Sequence, residues 1–266
     1  MTATAMTIAG SDSGGGAGIQ ADIKTFSALG VYATSVITAV TAQNTRGVTA
    51  LEDISLETIR AQIRAVFADI TVHAVKIGMV SRAETILALA DELAEYQGPI
   101  VLDPVMVATS GDRLLREDAV DALVAGLVTR ATIVTPNLPE AALLTATPLA
   151  ETRAQRVCQA EYLLSAGANA VLIKGGHGGG DNSIDLFVDH SGVMEFSAPR
   201  VETTNDHGTG CTLAAAITAG LATGLSLKEA VRDAKAYLQQ ALIAGKTLEI
   251  GGGHGPVHHF HHWWRG

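Results

Sequence analysis

The residues with the clearest chemical potential lie at positions 205–212, in the sequence NDHGTGCT. Gly208 and Gly210 leave backbone N–H groups open to a ligand, and the small residues that follow predict a helix beginning here. The first N–H groups of a helix are unpaired and carry partial positive charge, so they can bind an anion. Cys211 would lie at that N-terminus, where the pKa of a thiol usually falls. The segment predicts an anion hole beside an activated thiol; the alternative is an inert cysteine in a tight turn.

Two further candidates follow the first two apolar runs of the chain. The glycine-rich residues 10–18 would let the backbone approach a ligand, although a flexible turn is the alternative. No Gly-Lys-Ser/Thr follows them, and Ile19 stands where a dinucleotide fingerprint needs its last glycine. Gln43 offers a donor and an acceptor together, which suits a heterocyclic ring, with a simple turn as the alternative. Met79, after the third run, is interpreted mainly as packing.

Two carboxylates and a lysine follow later apolar runs. Asp103 and Glu140 could together hold Mg²⁺, because this hard cation prefers oxygen ligands. Alternatively, Glu140 lies in the first turn of a helix, where the helix dipole favours negative charge. Lys174 precedes two glycines, which suits a nucleotide phosphate, although a solvated lysine is equally consistent.

These residues can meet only if the apolar runs before them form one sheet. Short apolar runs alternate with segments of helical periodicity, which predicts a mostly parallel sheet with right-handed crossovers. The predicted strands are residues 4–10, 31–40, 72–77, 100–103, 132–135 and 170–174, with a hairpin at 184–189 and 192–196. The predicted helices are residues 17–29, 56–70, 83–96, 119–128, 154–166, 209–222 and 227–244. Because ligands bind at the carboxyl ends of parallel strands, we expect the candidate residues to share one site.

Composition narrows the class of protein. The 266 residues show no linker, low-complexity tract or repeat, so we expect a single domain over residues 1–266. Apolar residues make up 47% and aromatic residues 4%, which predicts an aliphatic core of the kind that buries parallel strands on both faces. The net charge of −9 disfavours nucleic acid and anionic membranes as partners.

The apolar runs are too short to span a bilayer, and the N-terminus lacks the basic region of a signal peptide. The two cysteines, Cys158 and Cys211, argue against a disulfide scaffold and fit a reducing, cytoplasmic location. Cys158 lies on a helical stripe and is interpreted as core. Five of the nine histidines lie in the C-terminal tail, without the cysteine or carboxylate that would strengthen a zinc prediction.

Six motifs together resemble the ribokinase-like superfamily and, within it, the hydroxymethylpyrimidine/phosphomethylpyrimidine kinases. They are IAGSD at residues 8–12, AGIQAD at 17–22, AQNT at 42–45, TPNLPEA at 135–141, HGTGCT at 207–212 and GPVHHF at 255–260. The set is specific and extends over nearly the whole chain. The sequence departs from the family pattern in having Asp206 where Thr is more usual and Ala214 where Ser is.

The resemblance implies a three-layer α/β/α sandwich that phosphorylates a hydroxymethylpyrimidine and then its monophosphate, with ATP and Mg²⁺ as cofactors. It also implies a homodimer that acts on small molecules. The implied pyrimidine-binding residues are Gly10, Asp22, Gln43, Met79 and Val105. The implied catalytic residues are Gly208, Gly210 and Cys211, with Cys211 as the base. Lys174, Thr209 and Asn137 are implied to bind ATP, and Asp103 and Glu140 to hold Mg²⁺.

Three alternatives remain at this point. The nearest is a pyridoxal or pyridoxine kinase of the same branch, against which Gln43 argues, since similar vitamin B6 kinases tend to have an apolar residue there. A sugar kinase fits less well, because such relatives carry Asp where Cys211 stands. A catalytically inactive small-molecule sensor is the third, and the intact segment 207–211 argues against it.

Overall fold

The computed structural model describes residues 2–106, 119–176 and 180–264. These residues form one nine-stranded sheet in the order β3-β2-β1-β4-β5-β6-β7-β8-β9. The strands are β1 Thr4–Asp12, β2 Tyr32–Asn44, β3 Gly47–Asp53, β4 Ala74–Ile77, β5 Ile100–Leu102, β6 Ile133–Val134, β7 Ala170–Ile173, β8 Asn182–Asp189 and β9 Gly192–Pro199. The adjacent strands β2, β1, β4, β5, β6 and β7 are parallel to one another, whereas β3, β8 and β9 pair antiparallel with their neighbours.

Helices cover both faces of the sheet, which confirms the three-layer α/β/α architecture. They are α1 Gly18–Ala28, α2 Leu56–Asp69, α3 Ala83–Glu92, α4 Ala119–Gly126, α5 Leu138–Thr145, α6 Arg153–Ser165, α7 Thr209–Ala222 and α8 Leu227–Gly245. One layer contains α1, α7 and α8, and the other runs from α2 to α6. A single 3-10 turn, Val128–Arg130, precedes β6.

The core is aliphatic, as the composition predicts. Neighbouring residues of β1 face opposite sides of the sheet. Ala5 packs with Phe26 on the side that α7 covers, whereas Met6 and Ile8 pack with Ile59 of α2 on the other side. Every residue of β4 and of β7 is buried, so both faces of the parallel strands are covered. Among the described residues no helix is both long and apolar enough to cross a bilayer.

The strand β3 and the helix α5 are absent from the predicted elements, although the alternative for Glu140 placed it in the first turn of a helix. The expectation that Cys158 belongs to the core is wrong, because this residue is exposed on α6.

Candidate active site

A cavity of about 720 Å³ opens where the parallel strands end, as the sheet topology predicts. The sequence-predicted site residues meet there, with the exception of Asp22. Those that line the cavity are Gly10, Gln43, Met79, Asp103, Val105, Asn137, Glu140, Lys174, Gly208, Thr209, Gly210 and Cys211. The volume suits small ligands, since ligand pockets typically enclose ~300–1,000 Å³.

The segment before α7 forms the predicted anion hole. Gly208 caps the helix with a φ of 80°, a conformation that favours glycine, and a Cβ there would collide with the carbonyl oxygen of Gly16. The N–H groups of Gly210 and Cys211 make no hydrogen bond within the described ranges, so they are available to an anion. The dipole of the 14-residue helix adds positive potential at the same point.

Thr209 is less available than the sequence suggests. Its hydroxyl donates to the carbonyl oxygen of Asp206, and its N–H lies 3.2 Å from the same oxygen. Both donors of Thr209 therefore shape the turn, and a direct contact with a nucleotide phosphate would need one of these bonds to break.

The thiol of Cys211 is not activated in the way that the sequence predicts. Burial and the carboxylates of Asp22 and Asp103 together raise its pKa to about 11. The Lys76 ammonium and a hydrogen bond from the Gly18 N–H oppose this shift but do not cancel it. The expectation of a lowered pKa is wrong, because desolvation and two nearby carboxylates outweigh the helix terminus.

Asp22 does not touch the cavity, which contradicts its predicted contact with the pyrimidine. It is fully buried, and its Oδ2 lies 2.9 Å from Lys76 Nζ and 2.6 Å from the Thr7 hydroxyl oxygen. Burial alone would lower the pKa of Lys76, but Asp22 raises it above the usual range. The buried Asp22–Lys76 ion pair is close enough to Cys211 to affect the pKa of its thiol.

Gln43 lies where the register of β2 against β3 shifts between Ala42 and Gln43. Such irregularities re-aim a side chain, and here the amide faces the cavity. The amide lies 3.0 Å from the Thr41 hydroxyl and 3.4 Å from the ring of His207. Gly10 and Met79 form part of the same wall, and the Met79 methyl group occupies the space where a Cβ on Gly10 would be.

Asp12 and His207 form a contact that the sequence did not predict. His207 Nε2 lies 2.9 Å from Asp12 Oδ2, and the imidazole packs against Gly16 so closely that no side chain fits there. Asp12 also accepts hydrogen bonds from the N–H groups of Gly14, Gly16 and Ala17. The pair joins the glycine-rich loop to the anion hole. Both residues lie in motifs that carried the family resemblance, which was the only available signal.

Lys174 sits between two carboxylates at the other end of the cavity. Its Nζ lies 2.8 Å from Asp103 Oδ1 and 3.7 Å from Glu140 Oε2. Burial alone would lower the pKa of Lys174, but these carboxylates raise it above the usual range. Burial and the neighbouring Asp103 raise the pKa of Glu140 to about 7. Asn137 and Glu140 form a capping box that begins α5, so the helix-start alternative for Glu140 is also correct.

Residues from β8, β9 and α8 complete this end of the cavity and were not predicted. The Gly175 N–H donates to Asp185, whose other oxygen lies 2.7 Å from Lys235 Nζ. Arg200 donates to the carbonyl oxygen of Gly176 at 2.7 Å. Apolar side chains supply the remaining wall. They are Pro199, Val201, Leu238 and Leu242.

Asp206 and the histidine tail meet at the rim. His254 Nδ1 lies 2.8 Å from Asp206 Oδ1, and both residues line the cavity. No cluster of three or more metal-ligating His, Cys, Asp or Glu residues occurs in the part of the chain that the structure describes. The described histidines of the tail take part in hydrogen bonds and ring contacts.

The fold and the anion hole together define a small-molecule kinase, and solved structures agree. The phosphomethylpyrimidine kinase from Clostridium difficile is 44% identical, with a TM-score of 0.80 over 90% of this chain and 99% of that chain. The pyridoxal kinase from Staphylococcus aureus in complex with pyridoxal is 32% identical, with a TM-score of 0.90 over 99% of this chain and 95% of that chain.

The chain belongs to the phosphomethylpyrimidine kinase family, whose model matches residues 12–258. The hydroxymethylpyrimidine/phosphomethylpyrimidine kinase from Rhizobium meliloti is 63% identical over 265 residues and covers 100% of both chains. The protein of the same name from Escherichia coli is 48% identical over 261 residues, which are 98% of each chain. Family membership confirms the predicted ribokinase-like fold and the predicted enzyme class.

Proposed function

We propose that the protein transfers the γ-phosphoryl group of ATP to the hydroxymethyl oxygen of 4-amino-5-hydroxymethyl-2-methylpyrimidine, and then phosphorylates the monophosphate to the diphosphate. Relatives of full length are named for both activities, and a relative from Geobacter sulfurreducens is named for thiamine biosynthesis. Kinases of this fold have been crystallised with ADP and with AMP-PCP, which supports ATP as the donor. The protein is thus a kinase of thiamine biosynthesis.

One observation carries the proposal: residues 207–210, where α7 begins, touch both ends of the cavity. His207 contacts Gln43 at the proposed acceptor end. Gly210, three residues later, lies beside Lys174 and Asp103 at the proposed nucleotide end. The N–H groups at the start of α7 therefore lie where a phosphoryl group would pass between the two ligands.

This arrangement fits what phosphoryl transfer requires, which is mostly positioning and stabilisation of charge. A bond forms between the acceptor oxygen and the γ-phosphorus while the bond to the β-phosphate oxygen breaks and ADP leaves. The N–H groups of Gly210 and Cys211, with the ammonium group of Lys174, would stabilise the charge on the transferring group. We assign Lys174 and Asn137 to the nucleotide end, and Thr209 to the turn that shapes the anion hole.

Cys211 is the ionisable side chain that we place beside the reacting hydroxyl. In the first transfer the hydroxyl proton must leave, and the Cys211 thiolate would accept it. Because the pKa of the thiol is about 11, the thiolate is a minor species at neutral pH in the ligand-free protein. The second transfer has a phosphate monoester as acceptor, which is largely ionised near neutral pH and needs no base.

The residues at the nucleotide end fit Mg²⁺. Asp103 is 1% exposed, and its Oδ2 has no hydrogen-bond partner among the described residues, so a carboxylate oxygen remains for a cation. We propose that Asp103 holds the ion directly or through water and that Glu140 supports it. When bound, Mg²⁺ would neutralise charge on the ATP phosphates. Lys174 would keep its contact with Asp103 Oδ1, which positions the other oxygen.

A pyridoxal kinase activity is the second candidate, because two solved pyridoxal kinases match this fold with TM-scores of 0.90 and 0.89. Gln43 favours the aminopyrimidine, since its amide can pair with an amino group beside a ring nitrogen. The curated relatives at 48–63% identity carry the pyrimidine kinase name, against 32–34% identity to the pyridoxal kinases.

We also propose a homodimer in the cytoplasm. The strands β2 and β3 expose three large apolar side chains, Tyr32, Val40 and Leu51, which would be covered by a second copy. Sedimentation equilibrium would test the dimer, and a monomer at micromolar concentration would contradict it. Cell fractionation would test the location.

The acceptor is tested by measuring ADP release with hydroxymethylpyrimidine and with pyridoxal under the same conditions. We expect a higher kcat/KM for the pyrimidine. A higher kcat/KM for pyridoxal would favour the second candidate, and no ADP release with either would favour the inactive sensor.

A further inference from the structure

Gln43 lies between two polar groups whose hydrogens decide how its amide is oriented. The Thr41 hydroxyl oxygen is 3.0 Å from Gln43 Oε1 and 3.1 Å from the carbonyl oxygen of Ser11. On the other side, His207 Nε2 is 3.4 Å from Gln43 Nε2 and 2.9 Å from Asp12 Oδ2. Asp12, His207, Gln43 and Thr41 thus form a continuous polar chain, which we call the acceptor network.

Asp12 determines where His207 carries its hydrogen. The hydrogen bonds from His207 and from the N–H groups of Ala17 and Gly14 hold the pKa of Asp12 below its usual value, although burial opposes them. Asp12 is therefore ionised and can only accept hydrogen bonds. His207 Nε2 must then carry a hydrogen, both in the neutral ring and in the imidazolium. It has no lone pair to offer to Gln43.

This constraint decides between the two orientations of the Gln43 amide. With the NH₂ group toward His207, two donors face each other and no hydrogen bond forms. With the amide turned by 180°, its oxygen faces the His207 Nε2–H. The single hydrogen there is donated mainly to Asp12 at 2.9 Å, and the Gln43 oxygen, about 3.4 Å away, accepts the longer branch of a shared hydrogen bond, while its NH₂ donates to Thr41. The Thr41 hydroxyl can then give its single hydrogen to Ser11. In this second arrangement each contact of the amide pairs a donor with an acceptor, the second N–H of the NH₂ group is left for a ligand, and the amide oxygen and nitrogen simply exchange places.

We propose that the Asp12–His207 pair fixes the Gln43 amide with its oxygen toward His207, and that His207 is thereby a positioning residue for acceptor selection. The inference rests on the proposed function, because it concerns how the acceptor ring is read. The amide would accept from a ring amino group on the His207 side and donate to a ring nitrogen on the Thr41 side.

This polarity also fits the position of the reacting group. In the aminopyrimidine, the carbon that bears the hydroxymethyl group is next to the carbon that bears the amino group. An amino group facing the His207 side therefore directs the hydroxymethyl group toward Gly208 and the anion hole. A 4-oxo analogue, in which a carbonyl replaces the amino group and the ring nitrogen carries a hydrogen, reverses both hydrogen bonds and should be rejected.

The test compares kcat/KM for the aminopyrimidine and for its 4-oxo analogue in three proteins. His207→Phe keeps a ring against Gly16 but removes the donor, so the amide can turn; the ratio of the two kcat/KM values should fall by about tenfold or more. His207→Gln keeps an N–H donor for Asp12 and should retain most of the ratio. His190→Phe, on the exposed β8–β9 turn, is the matched control and should leave both values unchanged.

A merely structural role for His207 predicts that His207→Phe lowers both kcat/KM values together and leaves their ratio unchanged, which would overturn the proposal. A direct reading that needs no variant is the ¹⁵N NMR spectrum of the His207 ring in the ligand-free wild type. Nε2 should be protonated at pH 8, and an unprotonated Nε2 would also overturn the proposal. If the wild type does not phosphorylate the aminopyrimidine at all, the proposed function fails, while the NMR spectrum still tests the role of Asp12.

Discussion

The thiol of Cys211 is held protonated mainly by burial, and groups from three parts of the chain act on its pKa. Asp22 of α1 and Asp103 at the end of β5 raise the pKa, whereas Lys76 of β4 and the Gly18 N–H at the start of α1 lower it. The net result of this environment is a high pKa, which makes the reactivity of the thiol in the free enzyme a sensitive probe of the site.

We predict that iodoacetamide modifies Cys211 slowly at pH 7 and that the rate rises about tenfold per pH unit up to pH 9, because the thiolate is the reactive form. The measurement is best made in a Cys158→Ser background, since Cys158 is exposed and would react first. Cys211→Ser in that background provides the blank. A rate that levels off near pH 8 would show that the pKa is not raised.

Asp22 does not line the cavity; it pairs with the buried Lys76 and affects the pKa of Cys211. We predict that Asp22→Ala lowers the free energy of unfolding by about 3–5 kcal/mol, because it leaves a buried ammonium without a partner. Urea denaturation measures this loss. The double variant Asp22→Leu/Lys76→Met removes both charges and should recover most of it. An unchanged stability in Asp22→Ala, with a raised KM for the pyrimidine, would restore the original prediction of direct contact.

The residue types of the site could be predicted from the sequence, but several of their partners could not. Gln43, Cys211 and Lys174 stand out because each follows an apolar run. The contact between Asp12 and His207 joins residues 195 positions apart, and no local pattern predicts such a contact. The same holds for the pKa of Cys211, which depends on buried charges that only the folded chain brings together.

At the scale of elements, prediction succeeded where the periodicity was strong. The helix α7 has the predicted bounds, and α2 and α8 differ from prediction by one residue at their ends. The strand β3 was missed because its residues are all exposed or half-buried, so its sequence shows no buried face. The helix α5 has only eight residues, Leu138–Thr145, and from the sequence a helix here was only the alternative interpretation of Glu140. Its capping box, Asn137 with Glu140, was the signal that could have revealed it.

Glu140 has two roles: it caps the helix α5, and it faces Lys174 at the nucleotide end of the cavity. We predict that Glu140→Gln raises the Mg²⁺ concentration needed for half-maximal rate, since a neutral amide attracts a cation less. Glu57→Gln is the matched control, because Glu57 is also in the first turn of a helix but is exposed and away from the cavity. A Mg²⁺ titration that is the same for wild type and Glu140→Gln would remove Glu140 from the metal site.

At the scale of the whole molecule, the C-terminal segment closes against α7 and α8 through His259. Its Nε2 lies 3.1 Å from the Thr212 hydroxyl, and its carbonyl oxygen accepts from Tyr237 at 2.6 Å. Burial and the nearby Lys24 ammonium together lower the pKa of His259 to about 3. The folded protein therefore keeps this ring neutral.

This burial has a consequence for stability in acid. Between about pH 6.5 and pH 3 the unfolded chain binds a proton at His259 that the folded chain does not, so folding weakens as the pH falls. The variant His259→Gln has no imidazole at this position, so its stability does not contain this dependence on pH. We predict that the stability advantage of the wild type over this variant shrinks by on the order of 2 kcal/mol between pH 7 and pH 5. Urea denaturation at both pH values measures it, and parallel stability curves would contradict it.

The architecture as a whole could be predicted from alternating patterns and from the family motifs. The parallel sheet and the location of the cavity followed from the βα alternation, because parallel strands direct their carboxyl ends to one edge, and the three layers followed from the family resemblance. What could not be predicted is the wall formed by β8, β9 and α8 at the nucleotide end. Asp185 and Lys235, for example, meet at 2.7 Å from elements 50 residues apart, and neither belongs to a recognisable motif.

The central claim is that one cavity performs two successive phosphoryl transfers. It is tested most directly by following ³¹P NMR spectra of the protein with hydroxymethylpyrimidine, ATP and Mg²⁺. We expect a monoester resonance that rises first and then declines as the paired resonances of a diphosphate ester appear, with ADP formed at each step. A monoester that accumulates without further change, or a spectrum in which ATP is not consumed, would contradict the claim.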